Sequence, residues 1–172
     1  NCGISTSTGR LFDGVSALLG FCLSETFEGE AAMTLQFAAE AWVEVHGETD
    51  LPFDVSLREE PDIFRLATTD LVRSLLEWKA AGMSADEGAW LFHLALAELI
   101  CKGAQEVRRR TGLEGVCLSG GVFQNLLLLR LCKCRLEEAH FHVYTHHLVP
   151  TNDGGIALGQ AVAAMVLKNK GE

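Results

Sequence analysis

Apolar residues recur with a helical period over the first two thirds of the chain. The first such stripe is formed by four residues that share one helix face, Leu11, Val15, Leu18 and Leu19. The same period predicts helices over 31–43 and 69–81, and a longer helix up to about residue 110. Ser84, with Glu87 three residues later, forms a capping box that marks the start of this longest helix. Because the longest helix is apolar almost all round, we expect it to be buried between layers.

The last third of the chain changes to strands, each followed by glycines and a helix-like segment. In order, the segments are a strand at 116–118, glycines at 120–121, a helix from Val122, a strand at 141–145, glycines at 154–155 and a helix over 156–167. Two successive units of strand, glycine turn and helix predict a parallel α/β layer. Glycines at these turns let the backbone approach a ligand closely.

Apolar and polar residues alternate over 53–57, which predicts a half-exposed strand or a small hairpin. Together the elements predict the α/β class, with a mixed sheet and a large helical insertion before the strand at 116–118. The chain has 172 residues, of which 48% are hydrophobic and 22% charged. This is the size and balance of one globular domain, which we assign to 1–172.

Charge and hydropathy narrow the classes of function. A net charge of −9 repels phosphate backbones, so we expect no nucleic-acid partner. No run of about 18 apolar residues occurs, so we expect no membrane segment. The first residues show neither the basic start nor the apolar core of a leader, which favours a cytoplasmic protein. The chain begins without Met, which suggests a piece of a longer protein.

Six cysteines, the first of them Cys2, are expected to be reduced thiols, because most lie inside apolar runs of a chain that is long for a disulfide scaffold. Cys132 and Cys134 are separated by one residue, which is not the spacing of a zinc knuckle. We therefore expect no structural zinc site.

The first glycine turn is the main candidate for ligand binding. Ser119, Gly120 and Gly121 match neither the Walker A loop nor the three-glycine dinucleotide motif, so a plain strand-to-helix turn is an equally good interpretation. Asn125 follows the turn, and its carboxamide can both donate and accept, as a ribose or a purine edge requires. The alternative is that Asn125 is an exposed polar position of a leucine-rich helix.

The second glycine turn carries a carboxylate, Asp153, at the start of the last helix. It either caps the free N–H groups of that helix or ligates a metal, and local chemistry favours the cap. His93 lies within the longest apolar helix, where a satisfied core or rim histidine is the simpler interpretation. Four further histidines resemble a metal cluster but have no fixed spacing to Asp153, which disfavours ligation by them: His140, His142, His146 and His147.

Four segments resemble one protein family, in the same order along the chain. Residues 118–125 and 148–161 closely resemble the C-terminal end of the hydrogenase-maturation carbamoyltransferases. Residues 9–13 and 27–33 resemble two earlier signatures of those proteins. The resemblance implies the second lobe of a Kae1-like domain, which has the actin-like ATPase (ASKHA) fold. It also implies that a first lobe and upstream domains lie outside this chain.

The resemblance further implies a reaction and its participants. The parent protein would cleave carbamoyl phosphate, form carbamoyl-adenylate from ATP with Mg²⁺, and transfer the carbamoyl group to the C-terminal cysteine of a partner protein in nickel–iron hydrogenase maturation. A divalent metal, Fe or Zn, would be shared with two histidines of the first lobe, and the chain alone would not turn over. If an apolar face is left exposed where the first lobe would sit, it would favour self-association into a homo-oligomer.

Several residues match functional positions of the family. The nucleotide-binding positions that the resemblance implies are Gly120, Gly121 and Asn125, with Asp13, Glu28, Gly29 and Glu30 lining the ribose and Arg10 as an anion contact. Asp153 matches the carboxylate of the metal site, so the resemblance favours a ligand over a cap. The chain departs from the family at Glu30, where Gln is common, and at Thr151, where a second Pro is common. No catalytic residue is assigned.

Three alternatives remain open. The related O-carbamoyltransferases of antibiotic biosynthesis and the tRNA threonylcarbamoyl-transferring proteins share the superfold. The acidic net charge disfavours the tRNA enzymes, and the matches at 122–125 and 152–160 favour the hydrogenase family. The third alternative is a stand-alone module that binds nucleotide weakly or docks a partner protein without turnover.

Overall fold

The computed structural model describes residues 5–169, so Cys2 lies outside the described residues. The helices are α1 (Thr8–Leu19), α2 (Glu30–His46), α3 (Thr68–Ala80), α4 (Ala85–Thr111), α5 (Leu126–Glu138) and α6 (Ile156–Asn169). The strands are β1 (Leu57–Glu59), β2 (Phe64–Leu66), β3 (Gly115–Leu118) and β4 (His142–Thr145), and short 3-10 helices span Gly121–Gln124 and Asp153–Gly155. The α/β class predicted from the sequence is confirmed.

Helix α4 is the centre of the fold. Helices α1, α2, α3 and α5 all pack against it, and its residues from Gly88 to Ala97 are buried without a break. Ser84 caps the helix as the sequence predicts, since its hydroxyl accepts a hydrogen bond of 3.1 Å from the Glu87 N–H. Gly112, with a φ of 74°, ends it in the left-handed conformation that glycine adopts without strain. The prediction of a long buried helix is therefore confirmed.

The strands do not form the mixed sheet that we predicted. In the described part of the chain, β1 and β2 form an antiparallel hairpin, and β3 and β4 form a separate parallel pair. The hairpin packs on α4, where the Leu66 side chain lies against Gly103. Residues 53–55 precede the hairpin as a loop, because the Lys102 ammonium donates to the Val55 carbonyl at 2.8 Å and holds it against α4.

The helix after the first glycine turn begins later than predicted. Residues Gly121–Gln124 form a 3-10 helix, and α5 starts at Leu126. Asn125 separates the two elements with an extended backbone, and its side-chain oxygen accepts from the Leu128 N–H at 2.9 Å. Asparagine is a preferred residue at such a cap, and this preference decides where the α-helix begins.

The basic run at the end of α4 makes contacts within the fold. Arg108 donates to the Ala139 carbonyl at 2.9 Å, and its guanidinium lies 4.1 Å from the centre of the Phe141 ring. Hydrogen bonds from Arg109 and then Arg110 lower the pKa of the Glu106 carboxyl to about 2. These contacts tie the end of α4 to the segment between α5 and β4, and they hold its last turn together.

Helix α6 differs from the other helices in its surroundings. Its described side chains from Ile156 to Lys168 are exposed, including Val162 and Met165 at 52% and 65% exposure. Among the described residues no helix is both long and apolar enough to cross a membrane. The five described cysteines are free thiols, as expected from the sequence: Cys22, Cys101, Cys117, Cys132 and Cys134.

Candidate functional site

The two glycine turns meet at one end of the parallel strand pair. Strands β3 and β4 run side by side with Leu118 opposite Thr145, so both turns leave from the carboxyl ends of their strands. The Gly120 N–H donates to the Thr151 carbonyl at 2.9 Å, and the Thr151 hydroxyl donates back to the Gly120 carbonyl at 3.1 Å. The carboxyl ends of parallel strands are where open α/β sheets bind ligands. The structure thus joins the two turns at such an edge.

Glycine is required at two places in these turns. Gly120 has a φ of 104° and a ψ of 158°, a region that is essentially restricted to glycine. At Gly155 an added Cβ would lie 2.7 Å from the Pro150 carbonyl oxygen. Both turns therefore keep backbone where a side chain would clash or strain the chain.

Replacing Gly120 with alanine is expected to lower the free energy of unfolding by about 1 to 3 kcal/mol, because alanine must adopt the strained backbone of this turn. The matched control is Gly159→Ala in α6, where nothing lies within 4 Å of an added Cβ and no positive φ is needed. Urea denaturation of both variants checks the prediction. Equal stability of the two variants would contradict it.

Ser119 and His146 form a side-chain pair at the junction of the turns. The His146 Nε2 lies 2.9 Å from the Ser119 hydroxyl, and both residues are exposed. Each is the first residue after its strand. Sequence reasoning missed this pair, because the histidines were judged by metal-ligand spacing. The signal that could have found it is that equivalent ends of adjacent parallel strands lie side by side.

Asn125 is buried rather than exposed, so the alternative of an exposed polar position is wrong. Its side chain is 8% exposed and bonds on both sides. The oxygen accepts from the Leu128 N–H, and the Nδ2 lies 2.9 Å from the His93 Nε2. His93 is fully buried, which confirms the core interpretation. That Asn125 contacts a nucleotide stays a prediction.

Asp153 opens the 3-10 helix Asp153–Gly155 and is exposed. The cap belongs to its neighbour, since the Asn152 side chain accepts from the Gly154 N–H at 3.1 Å. The capping alternative for Asp153 is therefore wrong, and its carboxylate has no hydrogen bond or ion pair with other described residues. Over residues 5–169 no three His, Cys, Asp or Glu side chains are grouped closely enough to hold a metal ion.

The predicted residues near the N-terminus lie on or beside α1 and α2. Arg10 and Asp13 form an ion pair of 3.1 Å on α1, the helix that also contacts the 3-10 helix Gly121–Gln124. Helix α1 therefore lies beside the first glycine turn. Asp13 is the less exposed partner, at 30% against 74% for Arg10.

Glu28, Gly29 and Glu30 lie at the start of α2, where Gly29 has a φ of 83°. The Glu30 carboxylate accepts from both the N–H and the hydroxyl of Thr26, and these bonds, the backbone one first, lower the pKa of the Glu30 carboxyl. Glu28 is exposed. The structure thus uses Glu30 to hold the turn before α2, and its contact with a ribose stays a prediction.

The family of this chain follows from a match between its sequence and a protein-family model. The model described as "Carbamoyltransferase, Kae1-like Domain, second subdomain" matches residues 1–160. The chain belongs to this family, the HypF carbamoyltransferases. It is 32% identical over 171 residues to "Probable carbamoyltransferase HypF" of Methanocaldococcus jannaschii, and 34% identical over 165 residues to "Carbamoyltransferase HypF" of Rhodobacter capsulatus. The resemblance noted in the sequence is confirmed.

Solved structures of HypF have the same fold as this chain. A full-length HypF "in the phosphate- and nucleotide-bound form" matches 92% of the chain with a TM-score of 0.82 and 35% identity. The HypF of T. kodakarensis matches 98% of the chain with a TM-score of 0.79 and 33% identity. The chain spans about a fifth of its HypF relatives, at 21% and 20% of the two curated proteins and 20% and 21% of the two structures.

Proposed function

We propose that this chain supplies the nucleotide-binding face of a HypF carbamoyltransferase. In the reaction that we propose, the whole protein first cleaves carbamoyl phosphate and forms carbamoyl-adenylate from ATP. It then transfers the carbamoyl group to the C-terminal cysteine of a hydrogenase-maturation partner in the cytoplasm. The chain acts as the second lobe of an actin-like ATPase fold. Support comes from the family match and from the nucleotide in the HypF structure that shares the fold.

The observation that carries the proposal is the joining of the two glycine turns. The reciprocal bonds between Gly120 and Thr151 hold both turns at the same edge of the β3–β4 pair. Gly121 is exposed there, and so is Ser119, two residues earlier in the sequence. Backbone near glycine and a hydroxyl donor suit the oxygens of a phosphate, which accept several hydrogen bonds. In a chain with a net charge of −9, local donors of this kind must provide the attraction for an anion.

We infer that Asp13 and Arg10 extend this face, and the support for this is that their helix, α1, contacts the 3-10 helix of the first turn. The Asp13 carboxylate can accept from ribose hydroxyls, and the Arg10 guanidinium can donate to a phosphate or to the Asp13 carboxylate. We propose that the Glu28-Gly29-Glu30 turn lines the ribose together with Asp13.

Asp153 suits one position of a divalent cation, since a free carboxylate is a hard oxygen ligand. One carboxylate does not complete a site, and the described residues hold no group of three ligands. The residues here therefore do not fit a whole Fe or Zn site, and no step of the reaction is derived through such an ion. We propose only that Asp153 ligates Mg²⁺ that arrives with ATP.

The test is calorimetric titration of the chain with ATP and Mg²⁺, and separately with adenosine. Ser119→Ala is expected to weaken ATP binding between about twofold and tenfold by removing one hydrogen bond, while adenosine binding stays unchanged. Asp153→Asn should remove the gain in affinity that Mg²⁺ gives. The matched control is Asp62→Asn, an exposed acidic residue in the hairpin between β1 and β2.

Absence of ATP binding to a folded chain would overturn the proposal and favour the module that docks a partner. Equal weakening of ATP and adenosine in Ser119→Ala would place the phosphates elsewhere. A loss of Mg²⁺ dependence in Asp62→Asn would show that net charge, and not the position of Asp153, produces the effect.

A further inference from the structure

His93 is a buried titratable side chain that the proposed nucleotide chemistry does not use. It lies on α4 with no exposed surface, and the rings of Phe12 and Phe92 meet it edge-on at 5.3 and 5.7 Å between centres. Both ring nitrogens nevertheless have partners. The Nδ1 lies 2.7 Å from the Ala89 carbonyl oxygen, and the Nε2 lies 2.9 Å from the Asn125 Nδ2.

These partners determine where the imidazole proton lies. A carbonyl oxygen only accepts, so the proton is on Nδ1, and Nε2 presents a lone pair. The Asn125 amide group can then donate from Nδ2 to His93, while its oxygen accepts from the Leu128 N–H. If the carboxamide were flipped, its oxygen would face the lone pair of the His93 Nε2, and its NH₂ group would face the Leu128 N–H. Neither pair could form a hydrogen bond. Only one arrangement of the three groups satisfies every atom.

The chain of bonds reaches the glycine turn through Asn125. The Asn125 N–H donates to the Val122 carbonyl at 3.2 Å, so this residue closes the 3-10 helix Gly121–Gln124 and opens α5. At its other end the turn is held by Thr151, which bonds Gly120. The exposed backbone at Gly121 thus lies between two fixed points, one of which depends on His93.

The pair has a consequence that an apolar core would not give. Burying an imidazole and a carboxamide removes both from water, and apolar side chains of the same volume would avoid that penalty. What the polar pair adds is direction, since it sets the rotation of the Asn125 amide and the entry of the chain into α5.

We propose that His93 is a positioning residue of the nucleotide site, which holds the Gly121–Gln124 turn in its ligand-binding geometry through Asn125. The inference rests on the proposed function. His93 touches no nucleotide in this role, and Asn125 contributes mainly by anchoring the turn.

The test compares His93→Gln with His93→Met. Glutamine keeps an acceptor near the place of Nε2, whereas methionine fills the space with only a weak acceptor. The readouts are the NMR signals of the Gly120, Gly121 and Leu128 amides and of the Asn125 side-chain amide, together with calorimetric ATP affinity. We expect His93→Gln to retain both, and His93→Met to shift these signals and weaken ATP binding about tenfold through displacement of the turn.

Asn125→Ser provides a second route in case His93→Met does not fold. Serine can still cap α5, but it is too short to reach His93, so the same loss is expected. Unchanged Gly121 signals and unchanged ATP affinity in His93→Met or in Asn125→Ser would overturn the inference. If the wild-type chain binds no ATP, the nucleotide proposal fails, and the Gly121 signals alone decide whether His93 positions the turn.

Discussion

Replacing Trp90 with alanine lowers the free energy of unfolding by about 3 to 5 kcal/mol, the range of aromatic truncations in a close-packed core. Trp90 has no exposed surface and lies near the start of the buried stretch of α4. Its ring stacks on Trp42 at 6.5 Å between centres, and its Nε1 donates to the Thr49 hydroxyl at 3.1 Å. The truncation removes this packing and leaves a cavity between α4 and α2. Urea denaturation followed by circular dichroism measures the loss.

Two variants separate the contributions at this position. Trp90→Phe keeps an aromatic ring but removes the hydrogen bond to Thr49. It should therefore lower the free energy of unfolding by less than the alanine variant does. Trp42→Ala removes the stacked partner, which is only half-buried, and should also cost less. A loss in Trp90→Ala no larger than in Trp42→Ala would contradict the central place of α4 in the core.

Local signals predicted the helices of this fold well, and the reason is visible at α4. Its capping box, its apolar residues and its closing glycine all lie within one continuous segment, so the sequence spacing alone contains the information. The helix onset after the first glycine turn was placed too early at Val122. There the decisive feature is the preference of Asn125 for the cap, which competes with a continuous apolar pattern.

The prediction of a mixed sheet was wrong for a different reason. Strands of three residues, such as β1 and β2, carry too little pattern to specify a partner, and pairing between distant strands depends on where the helices place them. The hairpin packs on α4 through Leu66, whereas β3 and β4 are joined through α5. No residue spacing in the sequence indicates that these two strand pairs form separate sheets.

The candidate site shows the same division. The glycine turns were recognised from local composition, and the family resemblance assigned Gly120, Gly121 and Asp153 to them. The contacts that organise the site are between distant residues, since His93 and Asn125 are 32 positions apart and Ser119 and His146 are 27 apart. A single sequence contains no measure of such proximity, so both histidines were interpreted as structural or incidental.

Acidification destabilises the fold between pH 6.5 and about pH 4, and we expect His93 to account for about 3 kcal/mol of that loss. Burial lowers the pKa of His93 from 6.5 to about 4. In this window the unfolded chain binds a proton at His93 and the folded chain does not, so acid favours unfolding. Above pH 6.5 His93 is neutral in both the folded and the unfolded state, so its full contribution to the free energy of unfolding is present.

The matched protein for this measurement is His93→Gln, which cannot titrate at this position but keeps the acceptor for Asn125. Carboxylates also titrate on acidification, among them Glu106, whose pKa of about 2 lies below the window. They are shared by the two proteins, so the difference between their stability curves isolates the imidazole. Urea unfolding across the window should give a steeper loss for the wild-type chain. Parallel curves would mean that the folded protein accepts a proton on His93 as readily as the unfolded one, which the bond from Asn125 to Nε2 does not permit.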